Sequence, residues 1–249
     1  MKTYLAAAFV ALFCVGVAGG QSALASPEAI AKAVNDRTRP AADREADARR
    51  KPYDTLLFSG VKEGDVVAEF LPGGGYYTRM LSDVVGHRGT VYALETTRWG
   101  QANIDGTKAV LAEKGHGNVK FDASAFGEFN LPEKVDLFWT TLNYHDLHIA
   151  KYGAVDMAAF NKHVFESLKP DGTYFIVDHA ANPGTTDAQI ADLHRIDKAV
   201  LIKEVEAAGF RLVGESNALH RTADDHTKTV FDKSVQGHTD QFMLKFRKI

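Results

Sequence analysis

Two groups of residues in this chain have the types and spacing to do chemistry. The first is a glycine turn behind an acid: Glu69, then Leu71-Pro72-Gly73-Gly74-Gly75, then Tyr76-Tyr77-Thr78. Glycines let a backbone approach a ligand closely and take positive φ. Glu95 follows 20 residues past Gly75, and Asp122 comes later. A carboxylate at the end of the strand after such a turn can accept hydrogen bonds from both hydroxyls of a ribose. Asp122 can accept one from an adenine amino group. Each feature also has a plainer use. The glycines suit a tight strand-to-helix connection, and Asp122-Ala123-Ser124 suits the start of a helix. No phosphate-binding lysine follows the glycines, which excludes a P-loop.

The second group is polar: Asn143-Tyr144-His145-Asp146-Leu147-His148, then Asp178-His179, then His194 and Asp197, spaced to share a helix face. Three readings stand open. His145 or His179, with Asp146 beside them, could serve as general base for an acceptor hydroxyl, since imidazole titrates near neutral pH. His145, Asp146, His148, Asp178 and His179 could instead hold a divalent metal that orients a catechol-like acceptor. Or these side chains pack and hydrogen-bond across loops. No spacing matches a specific zinc motif, and no metal ligand is assigned from the sequence. Asp224-Asp225-His226 reads as a solvated loop. Trp99 reads either as an adenine-stacking residue or as a surface anchor.

The elements that must position these groups alternate. Strands are expected at 65–70, 90–94, 119–121, 135–141 and 173–177, with helices at 76–85, 103–114, 155–168 and 188–208 between and after them. Two final strands, 210–213 and 241–246, lack a helix between them and are expected to pair antiparallel. Strands alternating with helices imply a mostly parallel sheet covered on both faces, a doubly wound α/β fold. In such a sheet ligands sit outside the carboxyl ends of the strands, where both polar groups fall. Residues 26–60 form short, charged helical segments with too few apolar residues for a core of their own, and are expected to cover the α/β domain of residues 61–249.

The first 25 residues differ. Lys2 is their only charge, Leu5 to Ala18 is an apolar run too short to span a bilayer comfortably, and Ala23-Leu24-Ala25 suits signal peptidase. A signal peptide cleaved after Ala25 is expected, giving a periplasmic or secreted protein with no stable membrane insertion. Cleavage also removes Cys14, the chain's one cysteine, so the mature protein has no disulfide. The net charge of −3, with both signs interspersed, gives no sign of a nucleic-acid partner.

Taken together, Glu69, the Pro72-Gly73-Gly74-Gly75 turn with Tyr76, Tyr77 and Thr78, Glu95, Asp122, the strand 135–141 and Leu168-Lys169-Pro170-Asp171-Gly172 ahead of a strand resemble the class I S-adenosylmethionine-dependent methyltransferases. Within that class they are most similar to a bacterial predicted-methyltransferase group with a Pro-Gly-Gly-Gly turn. The resemblance spans roughly residues 61–249. It implies a seven-stranded Rossmann-like sheet with an antiparallel last strand, and S-adenosyl-L-methionine as cofactor. It further implies that Glu69, Pro72, Gly73, Gly74, Gly75, Thr78 and Asn143 line the methionine and ribose region. Glu95 would then hold the ribose, and Asp122 with Ala123 the adenine. One position departs from the family pattern. Leu71 stands where the first glycine is usual, and a leucine takes glycine's left-handed backbone only at a cost, so the turn is expected to run a different path.

The function this implies is methyl transfer to a small-molecule acceptor. The alternative is an exported ligand-binding protein that keeps the fold without transferase activity; Leu71-Pro72 and the cytosolic origin of the cofactor favour it, while Glu95 and Asp122 favour the enzyme. A dinucleotide oxidoreductase fits less well, because Tyr76-Tyr77 would crowd a pyrophosphate at the helix start.

Overall fold

The computed structural model describes residues 25–249. The expected signal peptide falls on residues 1–25, all but the last outside that range. Among the described residues no helix is long and apolar enough to cross a membrane.

Seven strands form one sheet: β1 (Val66–Phe70), β2 (Thr90–Thr96), β3 (Val119–Ser124), β4 (Val135–Thr141), β5 (Leu168–His179), β6 (Phe210–Ser216) and β7 (Gln241–Lys248). Their order is β3-β2-β1-β4-β5-β7-β6. Neighbours from β3 to β5 are parallel, and β7 inserts antiparallel between β5 and β6. The strand order reverses at β1 and β4, which is where a doubly wound sheet opens its ligand crevice. The mostly parallel sheet with an antiparallel final strand is therefore as the sequence pattern implies.

Both faces of the sheet are buried, and the strand 135–141 accordingly carries apolar residues on both, with Leu137 and Trp139 on one and Phe138 on the other. Successive residues of β4 serve opposite cores. Phe138 joins a cluster with α6 (Met157–Ser167) and α8 (Lys198–Ala207), and Trp139 joins one with α1 (Pro27–Val34), α3 (Pro52–Ser59) and α4 (Tyr76–Val85). The N-terminal helices thus contribute Ile30, Ala33 and Leu56 to a shared core. Ser26 caps α1 by accepting a hydrogen bond from the Ala29 N–H at 3.1 Å, and Pro27 takes the first helical position. α2 (Ala41–Arg50) docks on α4 through Tyr76, whose hydroxyl donates to Asp47 at 2.7 Å.

Four local expectations are corrected. The single helix at 188–208 is two, α7 (Asp187–Leu193) and α8, separated at His194, whose backbone is left-handed at φ 54°. Asp197 causes the restart: its carboxylate accepts the Ala199 N–H and the Gly184 N–H, an alternative to helix that short acidic side chains offer the backbone. His194 and Asp197 therefore do not share a helix face. Strands β2 and β3 run further than expected, because Glu95 pairs with Ala123 and Thr96 with Ser124, so Glu95 and Asp122 lie within strands rather than past them. No helix starts at Asp122, whose carboxylate accepts from the Ser124 hydroxyl.

The fourth correction concerns Asp224-Asp225-His226. Asp225 is solvated, but Asp224 is buried and accepts two hydrogen bonds from the fully buried Arg195 guanidinium, at 2.8 and 3.1 Å, and another from the Asp240 N–H. His226 in turn meets Asp240 at 2.9 Å. This ion pair fastens the long β6–β7 connection to the α7–α8 break. Removing one partner leaves the other charge buried and alone, so Asp224→Ala is expected to lower the unfolding free energy by about 3–5 kcal/mol. Urea denaturation measures this; a loss under about 1 kcal/mol, the size of a surface pair, would show that the pair does not hold the connection.

Candidate functional site

The turn after β1 is fixed from several sides. Leu71 is buried and does take the left-handed conformation, at φ 56°, contrary to the expectation of a different path. Such a backbone costs a non-glycine residue about 1–2 kcal/mol. It is held by the Leu71 N–H donating to the Leu94 carbonyl at 2.8 Å, and by the Leu71 carbonyl accepting from Asn143 Nδ2 at 3.1 Å. The same amide donates to the Thr141 carbonyl at 2.8 Å, which ties the turn to the end of β4. Gly75, at φ 77°, ends the turn where a Cβ would stand 2.3 Å from Val110, so a side chain fits neither the backbone nor the space.

Glu95 is buried and engaged with this turn. Its Oε2 accepts from the Gly73 N–H at 3.3 Å and from the Thr107 hydroxyl at 3.1 Å, and its Oε1 accepts from the Thr96 N–H at 2.9 Å. Thr107, on α5 (Gln101–Ala112), stands 2.7 Å from the Gly73 carbonyl as well. Asp122 and Ala123 sit one strand further out, half-buried.

Between the turn and the end of β4 lies a cleft of about 380 Å³, lined by Glu69, Leu71 to Gly74, Tyr76, Tyr77, Trp139 and Asn143, and by Asp43 and Arg50 of α2. Glu69 accepts the Thr78 hydroxyl at 2.6 Å and is almost fully buried. Burial raises its pKa to about 7, against the lowering effect of the Thr78 bond and the Arg50 charge. The Arg50 guanidinium lies over the Tyr76 ring at 4.2 Å. Trp139 Nε1 and Thr141 Oγ1 border the cleft, buried and without a hydrogen-bond partner among the described residues. Buried polar groups ordinarily find one, so both are suited to a ligand's polar atoms.

The polar cluster divides into two. Tyr144 and His148 turn away to Glu204, at 2.9 and 3.1 Å, where Asn161 completes the network. His145 instead enters a buried group: its N–H and Nδ1 meet Asp178 at 2.8 and 2.7 Å, and its Nε2 faces Asp146 at 3.3 Å. His194 Nδ1 reaches the same Asp146 oxygen at 3.2 Å. Burial opposes a charge on His145, but Asp178 and Asp146 override it and raise the pKa to about 10. His179 behaves oppositely: burial, then the neighbouring His145 charge, push it well below its ordinary value. Its Nδ1 lies 2.8 Å from the Thr239 hydroxyl. Trp99 packs against Phe126 and Tyr152.

This geometry can be set beside known proteins. No protein-family model matches the sequence, and no curated relative does. Solved structures do match. A SAM-dependent methyltransferase from Aquifex aeolicus superposes with a TM-score of 0.58 at 20% identity, over 90% of this chain and 99% of that one. Fibrillarin from Aeropyrum pernix, solved with natively bound S-adenosyl-L-methionine, gives 0.53 at 18% identity over 81% and 76%. The cyclase SpnF gives 0.56 at 17% over 86% and 84%. The likeness is one of fold. The chain has the Rossmann-like architecture of SAM-dependent methyltransferases.

Sequence reasoning did not place Asp43, Arg50 or Trp139 in the cleft. An arginine among the charges of α2 carries no local signal; only the docking of α2 on α4 brings it there. The charge state of Glu69 supplies a test. Its folded pKa of about 7 exceeds the ordinary 4.5. The folded state therefore keeps a proton that the unfolded state loses across that window, and the penalty grows as pH rises. Fully developed above pH 7, it is worth about 3 kcal/mol. Glu69→Gln removes it, so the variant should be more stable than the parent at pH 8 and converge with it near pH 4.5. Urea midpoints at both pH values decide; an equal change at both would rule out the raised pKa.

Proposed function

We propose that the protein is an S-adenosyl-L-methionine-dependent methyltransferase acting on a small molecule. The observation that carries this reading is the pairing of charges in the cleft. Arg50 and Glu69 present one cation and one carboxylate beside the two unpartnered donors of Trp139 and Thr141. A zwitterionic amino-acid group needs that complement, and the methionine end of the cofactor is one. In this reading Arg50 takes its carboxylate and Glu69 its ammonium, which also favours the ionised form of Glu69. Gly73, Gly74 and Gly75 with Pro72 supply the close backbone, and Thr78 orients Glu69. Asn143, just past β4, holds the turn in place. Glu95 is assigned to the ribose hydroxyls, with Asp122 and Ala123 at the adenine.

The bound cofactor supplies an electrophilic methyl group on a sulfonium. The chain's task is to hold an acceptor in line with it and keep water away, which alone lowers a two-substrate barrier substantially. His179 is the better placed of the two candidate bases. It is kept neutral, and with Nδ1–H donating to Thr239 its Nε2 retains a lone pair for a hydroxyl proton. His145 has both ring nitrogens directed at carboxylates. The N-terminal segment 1–25 is assigned as a signal peptide, which places this chemistry in the periplasm or outside the cell.

Calorimetry of the purified protein with S-adenosylmethionine and its demethylated product tests the reading. Both should bind. Arg50→Met should weaken both by about 10- to 100-fold, the worth of one charged hydrogen bond, and Glu95→Ala should weaken both as well. No binding at millimolar cofactor would overturn the assignment, and an unchanged affinity in Glu95→Ala would overturn the ribose contact.

A further inference from the structure

The geometry points to a transition-metal site formed by His145, Asp146 and His194, distinct from the cofactor cleft. His145 and Asp146 open the short 3-10 turn His145–His148 after β4, and His194 stands at the break between α7 and α8. His194 lies 48 residues from Asp146 in the sequence, yet its donor atom meets those of the adjacent His145 and Asp146. His145 Nε2 lies 3.3 Å and His194 Nδ1 3.2 Å from the same Asp146 oxygen, and all three atoms fall within 4.8 Å of one another. All three side chains are buried.

Those spacings are the ones coordination produces. Zinc bonds of about 2.0–2.1 Å in tetrahedral array put neighbouring ligand atoms about 3.4 Å apart. Two of the three pairs already stand near that separation, and the third lies within 4.8 Å.

A second observation concerns the proton on His145. Its Nδ1 meets Asp178 at 2.7 Å, and Asp178 is fully buried and also accepts the His145 backbone N–H at 2.8 Å. A metal-binding histidine ordinarily gives its other ring N–H to such a carboxylate, which fixes the tautomer and turns the free lone pair toward the ion. Here the carboxylate is in place, and Nε2, which faces Asp146 and His194, is the nitrogen an ion would take once its proton is released to solvent. A third observation is the backbone of His194, left-handed at φ 54°, a conformation that histidine adopts only at a cost and that recurs at functional sites. That break in the helix brings the imidazole to Asp146.

Two imidazoles and one carboxylate select a borderline divalent ion, Zn2+ or Fe2+, over Mg2+ or Ca2+, which take oxygen ligands. Three protein ligands leave a fourth position open. The site lies at the carboxyl edge of β4 and β5.

Zinc is the probe. The untagged full-length protein, stripped with a chelator and dialysed, should take up one equivalent of Zn2+ per chain by elemental analysis, and its melting midpoint should rise. Magnesium should do neither, and anaerobic Fe2+ should compete with zinc. His194→Ala should lose the uptake and the thermal shift. His148→Ala should keep both, since that residue faces Glu204. Asp178→Asn should weaken zinc by about 10- to 100-fold without changing the stoichiometry. Should His194→Ala fail to melt cooperatively, the visible absorption of the Co2+-loaded parent decides instead, because four-coordinate cobalt is intensely coloured. No stoichiometric zinc in the parent, or full uptake in a folded His194→Ala, would overturn the site. No cofactor enters these measurements, so their outcome is independent of the transfer reading.

Discussion

The left-handed backbone at Leu71 is the constraint around which the cleft is built. It turns the chain out of β1 sharply enough for the three glycines to lie across the sheet's edge. A buried leucine does not hold that conformation unaided. The Leu94 carbonyl on one side and the Asn143 amide on the other supply the compensation, so β2 and β4 both have to be in register before the turn can close. Glu95 and Thr107 then fix Gly73, and Arg79 donates to the Gly74 carbonyl at 2.8 Å from beneath. The turn is thus a product of three strands and two helices, and its precision comes from tertiary contacts rather than from glycine flexibility.

Much of the sheet was legible in the sequence because its signals are local. Apolar runs at 66–70 and 135–141, and glycines closing the helices, report burial on both faces directly. The carboxyl-edge position of Glu95, Asn143 and His179 follows from that alternation. What the sequence hid depends on partners distant in the chain. Leu71 is a poor candidate for positive φ until Asn143 is seen to bind its carbonyl. Asp197 and His194 read as helix until the Asp197 carboxylate is found on Gly184. Asp224 reads as solvated until Arg195 arrives from the α7–α8 break. In each case an interaction with a distant residue or a side-chain cap overrides a plausible local preference.

Fold likeness and chemistry stay separate here. The same architecture carries a methyltransferase in Aquifex aeolicus and a cyclase in SpnF, so the sheet cannot name the reaction. Two features of this chain lie outside the sheet. One is the helix α2, which lays Arg50 and Asp43 into the cleft. The other is the β6–β7 connection, which is anchored by Asp224 and Asp240 beside the buried histidines.

The chain holds two tryptophans, and the structure places them in unlike surroundings. Trp99 sits in an aromatic group with Phe126 and Tyr152, whereas Trp139 floors the cleft against Tyr77 with its indole N–H unpaired. Indole emission responds to polarity and to hydrogen bonding at that nitrogen. Trp139 is therefore a built-in optical reporter of whatever occupies the cleft, and Trp99 a reference signal within the same molecule.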